Sequence, residues 1–208
     1  IPTDGIPPFI FYLSGTVVWG YFSVCLTLTS NTFLANSNIF SKVFFPRLTI
    51  PVAHVIISLL QFFIQFIFFL MFLLYFKQIG SDINPNFLML VLPLLLLQMA
   101  FLGLGVGILI SALTAKYRDL TFAMTFGVQL WMFASPVVYP FSLVPEKYQM
   151  IAALNPMTSI IEIFRKAFLG ASSIDTIHII TSILITFLIF LIGLILFNRV
   201  EKNFMDTV

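Results

Sequence analysis

The chain has 208 residues, of which 60% are hydrophobic and only 9% are charged. A soluble domain carries roughly a quarter charged residues, so this composition excludes a soluble binding module and predicts an integral membrane protein. The net charge of +2 is too small to indicate a nucleic-acid partner. The one cysteine, Cys25, lies in an apolar run, where we expect a small buried hydrophobe.

Long uncharged runs predict an all-α fold with five membrane-spanning helices. Each run is long enough to cross a hydrocarbon core of about 30 Å at about 1.5 Å per residue. The predicted spans cover residues 9–28, 50–76, 87–114, 121–139 and 176–197. The SPVVYP string breaks the far end of the fourth span, and a short charged tail follows the last one. The start at Ile1, without a basic stretch and a cleavage site, suggests no signal peptide and leads us to expect a preceding segment.

Two of these spans carry features for helix–helix contact. Gly103 and Gly107 are four residues apart in the third span, a spacing that lets another helix approach closely. Gln61 and Gln65 share one face of the second span. They suit either hydrogen bonding between helices or the lining of a polar pathway, and the sequence leaves both open.

Residues 141–170 are too interrupted for one span and too apolar for a free loop. We predict two short re-entrant helices, the second beginning at Pro156; a simple extracellular loop is the alternative. In that second helix, Glu162 is placed off the apolar face, where it can pair with Arg165 or Lys166.

The loop charges predict the orientation. One set of loops collects six basic residues, namely Lys42, Arg47, Lys116, Arg118, Arg199 and Lys202. The other side collects four, namely Lys77, Lys147, Arg165 and Lys166. In membrane proteins, the cytoplasmic loops carry more basic residues than the outer loops. We therefore predict that the first set of loops is cytoplasmic, so that the chain starts outside and ends inside.

The sequence offers no catalytic or metal-binding arrangement. His54 and His178 are isolated in apolar surroundings, and Glu146 and Glu162 have no pairing that suggests acid–base chemistry. No GxxxxGK[ST] motif is present, so we expect no cofactor in this chain and ATP, if used, on another subunit.

Aromatic side chains are candidates for a sugar pathway, because their faces stack on the C–H faces of sugar rings. The alternative for each is a lipid-facing or interfacial position. The candidates are Tyr12, Trp19, Tyr21, Trp131 and Tyr139.

Four strings occur in order between the predicted spans: FSKVFFPRLTIP, AKYRDL, SPVVYP and VPEKYQMIAALNPMTSIIEIFRKAFLG. Together they resemble the membrane subunit of type-2 ABC exporters, and most nearly the permeases that export O-antigen, capsule or teichoic-acid polymers. The resemblance covers nearly the whole chain, residues 1–208, as one transmembrane domain. That family has six spans and an N-terminal interface helix, so the resemblance implies that this helix and the first span are missing here.

The resemblance implies a role for three regions. A cytoplasmic coupling helix would dock on the ATP-binding subunit through Ser37, Phe40, Lys42, Phe44, Phe45, Pro46 and Arg47. A cytoplasmic loop would present Lys116, Arg118 and Asp119. The outer re-entrant gate would include Pro136, Pro145, Glu146, Asn155, Pro156, Glu162 and Arg165.

The resemblance further implies an assembly of two permeases and two ATP-binding subunits, with ATP and magnesium on the latter. A lipid-linked glycan would cross the bacterial cytoplasmic membrane at the interface between the two permeases. Three alternatives remain open at this point: a teichoic-acid permease, a type-2 permease for drugs or lipids, and a membrane scaffold that transports nothing.

Overall fold

The computed structural model describes residues 3–36, 46–81, 83–114, 117, 119–170 and 175–205, without the side chains of 146 and 201–205. The regular elements in these ranges are all helical, which confirms the all-α prediction. The α-helices are α1 (Pro8–Ser30), α2 (Thr32–Ala35), α3 (Thr49–Gln78), α4 (Leu92–Thr114), α5 (Leu120–Ala134), α6 (Glu146–Ala153), α7 (Pro156–Leu169) and α8 (Thr176–Met205). Short 3₁₀ helices lie at Phe87–Val91 and Phe141–Leu143.

The predicted spans correspond to five of these helices. Four are long and apolar enough to cross a membrane, namely Pro8–Ser30, Thr49–Gln78, Phe87–Thr114 and Thr176–Val200, and α5 is a shorter apolar helix of 15 residues.

The SPVVYP string was predicted to break the far end of the fourth span, and this is confirmed: α5 ends at Ala134, because Pro136 holds Ser135 outside the helical region, at a ψ of 148°. The charged tail predicted after residue 197 instead continues α8 to Met205. No glycine or proline interrupts that stretch, so the helical hydrogen bonding can continue.

Helix α1 is the centre of the bundle. Its most apolar stretch is 61% buried, against 22% for α3 and 17% for α8. It contacts α3, α4, α5 and α7, while α8 packs mainly on α4. The predicted close approach at the glycines is confirmed: a Cβ atom on Gly103 would lie 2.8 Å from the Cβ atom of Cys25, and one on Gly107 would overlap Thr29. Cys25 is buried, as predicted.

The loops gather at two ends of the bundle. At what we call the loop-rich end (residues 3–7, 79–81, 83–91, 135–170 and 175), Asp4 accepts a hydrogen bond from Ser142 and Asn86 donates to the Lys166 carbonyl. At the opposite end, called the basic end (residues 30–36, 46–50, 108–114, 117, 119 and 194–205), Phe33 stacks on Phe197. These contacts agree with the sides that the sequence assigns to the loops.

Helix α5 is peripheral. None of its residues is buried, and it touches α1 and, less extensively, α4. Three phenylalanines on it are largely exposed: Phe122 (82%), Phe126 (62%) and Phe133 (62%). Met124, Val128, Trp131 and Met132 of α5 pack on the core, and the other side of the helix leaves a face for another surface.

Candidate functional site

A polar groove of about 280 Å³ runs between α1 and α5. It is lined by Trp19, Ser23, Thr27, Ser30 and Asn31 from α1, and by Thr121, Met124, Thr125, Val128, Gln129 and Met132 from α5. Ser23, Ser30 and Thr125 donate their hydroxyl protons to carbonyls of their own helices. Their oxygens keep lone pairs that can accept further hydrogen bonds. The lining can therefore meet water or a polar ligand.

The groove lining follows a regular spacing on both helices. Trp19, Ser23 and Thr27 recur every four residues on α1, as do Thr121, Thr125 and Gln129 on α5. Residues four apart share a helix face, so each helix presents one polar stripe. These serines, threonines and Gln129 were not among the residues predicted from the sequence, and their four-residue spacing is the signal that could have found them.

The five candidate aromatics lie in different surroundings. Trp19 lines the groove. Trp131 stacks edge-on against Phe22, with ring centroids 5.1 Å apart. Tyr21 is buried against Phe62 between α1 and α3.

Tyr12 and Tyr139, the other two candidates, are half-buried. Tyr12 contacts the Phe11 ring at 5.8 Å, and Tyr139 donates to the Phe133 carbonyl at 3.3 Å. The structure thus places Trp19 on the groove wall, while the pathway role of all five residues stays a prediction.

Helix α7 has a defined start and stop. Asn155 caps it by accepting a hydrogen bond from the Met157 amide at 3.1 Å, and Pro156 occupies the first turn. Gly170 ends it in the left-handed region at φ 83°, with its amide bonded to the Arg165 carbonyl. The two short helices predicted here are present as α6 and α7, and Pro145 and Glu146 stand at the start of α6.

Arg165 is the structural centre of this region. Glu162 and Arg165 lie off the apolar face that the sequence predicts for this helix, and both are nevertheless buried, with exposed fractions of 3% and 1%. Arg165 Nη1 donates to the Pro136 carbonyl at 2.6 Å and to the Tyr139 carbonyl at 3.3 Å, and Nη2 donates to the Val137 carbonyl at 2.7 Å. The break after α5 thus leaves carbonyls without helical partners, and Arg165 satisfies them.

The charge of Arg165 is also compensated. Glu162 pairs with it at 3.3 Å, as predicted, and Nε donates to Ser14 Oγ of α1 at 3.3 Å. The guanidinium carbon lies 3.7 Å from the centre of the Phe11 ring, a cation–π contact. Burial lowers the pKa of Arg165 to about 10 while Glu162 acts to raise it, so the group stays charged at neutral pH.

Asn155 joins α7 to the end of α5. Its Oδ1 accepts from the Trp131 indole at 3.0 Å, and its Nδ2 donates to Ser135 Oγ at 2.8 Å. The structure therefore brings together four residues of the predicted gate (Pro136, Asn155, Glu162 and Arg165) with two of the candidate aromatics (Trp131 and Tyr139).

Most of the predicted coupling and loop residues lie outside the described residues. These are Ser37, Phe40, Lys42, Phe44, Phe45, Lys116 and Arg118. Pro46 is exposed and Arg47 is buried, with an exposed fraction of 5% for Arg47. Asp119 is exposed and directly precedes α5.

Comparison with known proteins agrees with this architecture. Residues 3–169 match the ABC-2 type transporter family. Two O-antigen export system permease proteins RfbA from Klebsiella pneumoniae are 28% and 27% identical over 200 and 199 residues, in each case 95% of this chain and 74% of the relative. A third, from Myxococcus xanthus, is 25% identical over 168 residues, 79% of this chain and 63% of the relative.

The apolar helices and this match define a multi-pass protein of the bacterial inner membrane. The chain belongs to the ABC-2 type transporter family and is the permease subunit of a type-2 ABC exporter. Membership implies an ATP-binding partner subunit.

Proposed function

We propose that this permease exports a lipid-linked polysaccharide of the O-antigen type across the inner membrane. The observation that carries the proposal is the polar groove between α1 and α5, together with relatives that are named O-antigen export permeases over 95% of this chain. A glycan needs a wall of hydroxyls and amides to replace its water contacts. Ser23, Thr27, Thr125 and Gln129 supply such groups, and Trp19 supplies an aromatic face.

A second copy of the chain completes the pathway in this proposal. The groove lies at the side of the bundle, and the outer face of α5 is covered by no other described element. A polar groove open to lipid is unfavourable, because lipid cannot hydrogen-bond to its walls. Two copies facing each other through α1 and α5 would enclose the groove as a lumen.

The force comes from the partner subunit, which holds ATP and magnesium and hydrolyses the nucleotide; this chain is not itself the enzyme. The coupling segment would include residues 37–47. Both flanks of the segment are anchored in the bundle: the Phe33 amide donates to Ser111 Oγ at 3.1 Å, and Leu48 and Ile50 pack with Phe33 and Phe197. A movement of the coupling segment would therefore be transmitted to α1, α4 and α8 together.

The gate in this proposal is formed by α6 and α7 at the loop-rich end. Pro136, Pro145, Glu146, Asn155, Pro156, Glu162 and Arg165 belong to these helices or to the break that precedes them. Helices that return to the side they entered are tolerated in a membrane where protein covers their backbone, and α7 is buried on nearly every side.

The test is reconstitution of function with the partner. The permease is co-expressed with a candidate ATP-binding subunit from the same organism, the complex is purified, and a lipid-linked glycan is supplied in proteoliposomes. We expect a stoichiometric complex whose ATP hydrolysis moves glycan into the lumen of inverted vesicles. A complex that moves a teichoic-acid precursor, a lipid or a drug instead would replace the proposed substrate, and the absence of any ATPase partner would favour a scaffold.

A further inference from the structure

We propose that the groove between α1 and α5 selects uncharged sugar units, so that a polymer with a phosphate or carboxylate on every repeating unit is a poor substrate. The inference rests on the proposed function, because it names the chemical class of glycan that the same groove takes. It separates two substrates that the sequence left open, an O-antigen of neutral sugars and a teichoic acid, whose units carry phosphate.

The first observation is the charge of the groove wall. Among the described residues, the lining consists of serine, threonine, asparagine and glutamine together with Trp19 and three apolar side chains, and it includes no charged side chain. Neither Pro8–Ser30 nor Leu120–Ala134 contains an acidic or basic residue, so a second copy facing the groove through the same two helices would add none. An anion in the groove would therefore find no cation on these helices to compensate its charge.

The second observation is the direction of the hydrogen bonds in the wall. Ser23 donates its proton to the Gly20 carbonyl at 3.1 Å, and Ser30 donates to the Thr27 carbonyl at 2.8 Å. On α5, Thr125 donates to the carbonyl one turn earlier at 3.4 Å. Each hydroxyl oxygen then offers lone pairs only. A sugar hydroxyl can donate to such an oxygen, whereas a phosphate or carboxylate oxygen also has lone pairs only and is repelled by it.

The third observation is a set of polar groups without a hydrogen-bond partner among the described residues. They are the indole N–H of Trp19, the Thr27 hydroxyl and the Gln129 amide. Asn31 donates from Nδ2 to the Thr27 carbonyl at 3.2 Å, which leaves its Oδ1 available. Thr27 and Gln129 are exposed, and the open atoms of Trp19 and Asn31 are not enclosed by the protein. A sugar hydroxyl both donates and accepts, so this mixture of neutral donors and acceptors suits it.

The cost of moving a charge out of water decides between the two kinds of polymer. A neutral hydroxyl regains hydrogen bonds on this wall, whereas a charge without a partner keeps most of its desolvation cost. A charge on every repeating unit would occupy the groove at every stage of export. A charged group at the lipid link would pass the groove only once per chain, so the selection applies to the repeating units.

The binding experiment uses the permease with its ATP-binding subunit in nanodiscs of zwitterionic lipid, and it requires no transport. The probes are short hexose oligosaccharides in three forms: neutral, oxidised at the primary hydroxyls to carboxylates, and the methyl ester of the oxidised form. The ester keeps the added atoms and removes the charge. Binding is measured by ligand-observed NMR at neutral pH.

We expect the neutral and ester forms to bind alike. The carboxylate form should bind roughly tenfold or more weakly, because its charge is uncompensated in the groove. Equal binding of carboxylate and ester, or no binding of any neutral form, would overturn the proposal. This comparison needs only the wild-type complex, so it decides the matter even if a variant fails to assemble.

Substitutions test whether the preference belongs to the groove. Gln129→Lys adds a cation to the α5 wall and should strengthen carboxylate binding several-fold relative to the ester, and Gln129→Glu should weaken it further. Tyr75→Lys is the charge-matched control, because Tyr75 lies near the loop-rich end of α3 and is 56% exposed. It should leave the ratio unchanged. An equal shift by the two lysine variants would mean that the net charge of the protein, and not the groove, sets the preference.

Export by the wild-type complex in proteoliposomes gives the functional measurement. A neutral lipid-linked glycan and its carboxylated form are supplied in turn, and we expect the neutral form to be exported roughly tenfold or more faster. Equal or faster export of the carboxylated form would overturn the selectivity. If neither glycan is exported, the proposed function is refuted, while the binding measurement still decides whether the groove prefers neutral sugars.

Discussion

Gly107 of α4 lies directly against Thr29 of α1, with no space for a side chain between the two helices. A Cβ atom on Gly107 would overlap the Thr29 hydroxyl, which donates hydrogen bonds to the Cys25 carbonyl at 2.7 Å and to the Gly103 carbonyl at 3.2 Å. We expect Gly107→Ala to destabilise the fold by about 1–3 kcal/mol, the usual cost of overpacking. Gly107→Leu should lower the folded yield further.

The matched control is Gly127→Ala on α5. A Cβ atom there meets nothing within 4 Å, and alanine favours the helix over glycine by roughly 1 kcal/mol. Thermal unfolding in detergent should therefore show a lower Tm for Gly107→Ala and an equal or higher Tm for Gly127→Ala. Equal stability of both variants would mean that α1 and α4 are not in close contact.

An aromatic cluster joins α3 to α7, and Phe69 of α3 is fully buried within it. Its ring lies 5.3 Å from that of Phe164 and 5.6 Å from that of Phe168. We expect Phe69→Ala to cost about 3–5 kcal/mol through lost contacts and the cavity left behind. The neighbouring Phe68 is 53% exposed, so Phe68→Ala should change the detergent Tm little. A similar loss for both variants would contradict the arrangement of α3 against α7.

The apolar pattern was sufficient to predict most of the fold. Uncharged runs predicted the spanning helices, Gly103 and Gly107 predicted a close contact between helices, and Pro156 predicted the start of α7. Each of these features depends on residues that are close together in the sequence. The end of α5 follows the same kind of rule, because Pro136 in the SPVVYP string ends the helix just before it, with Ser135 already extended.

The site was harder to predict, because burial of a charge depends on distant partners. Arg165 has the pattern of a surface residue on an amphipathic helix, and its partners Ser14 and Pro136 are 151 and 29 residues away in the chain. Sequence spacing could identify Glu162 as a partner three residues away, but not the carbonyls freed by a break in another helix. The groove was missed for the same reason, since its two stripes lie on separate helices.

Gln129 provides the test of the groove. It lines the α5 side, where its amide can exchange hydrogen bonds with a polar substrate. We expect Gln129→Leu to lower the rate of glycan export several-fold while the level of assembled complex is unchanged, because leucine keeps the bulk and removes the donor and acceptors. Gln129→Asn keeps the amide and should retain most of the export. Loss of export in both variants together with loss of assembly would indicate a packing role.

Phe44 and Phe45 provide the test of coupling, an expectation that comes from the sequence since residues 37–45 lie outside the described residues. We expect Phe44→Asp/Phe45→Asp to abolish export while the protein remains in the membrane, because a charge would replace the apolar anchor for the ATP-binding subunit. Ser41→Ala in the same segment is the control. Cell-surface glycan and membrane content are measured in parallel, and persistent export would refute the coupling assignment.

The orientation is tested by thiol labelling from outside intact cells. Cys25 is buried and is the single cysteine in this sequence, so Cys25→Ala removes its one native thiol. In that background Lys147→Cys should react with a membrane-impermeant maleimide added outside, because Lys147 is exposed at the loop-rich end. Lys116→Cys should react only after the cells are opened, because the basic loops are expected to face the cytoplasm. Labelling of both positions from the same side would overturn the predicted topology, and with it the assignment of the coupling segment to the side where ATP is available.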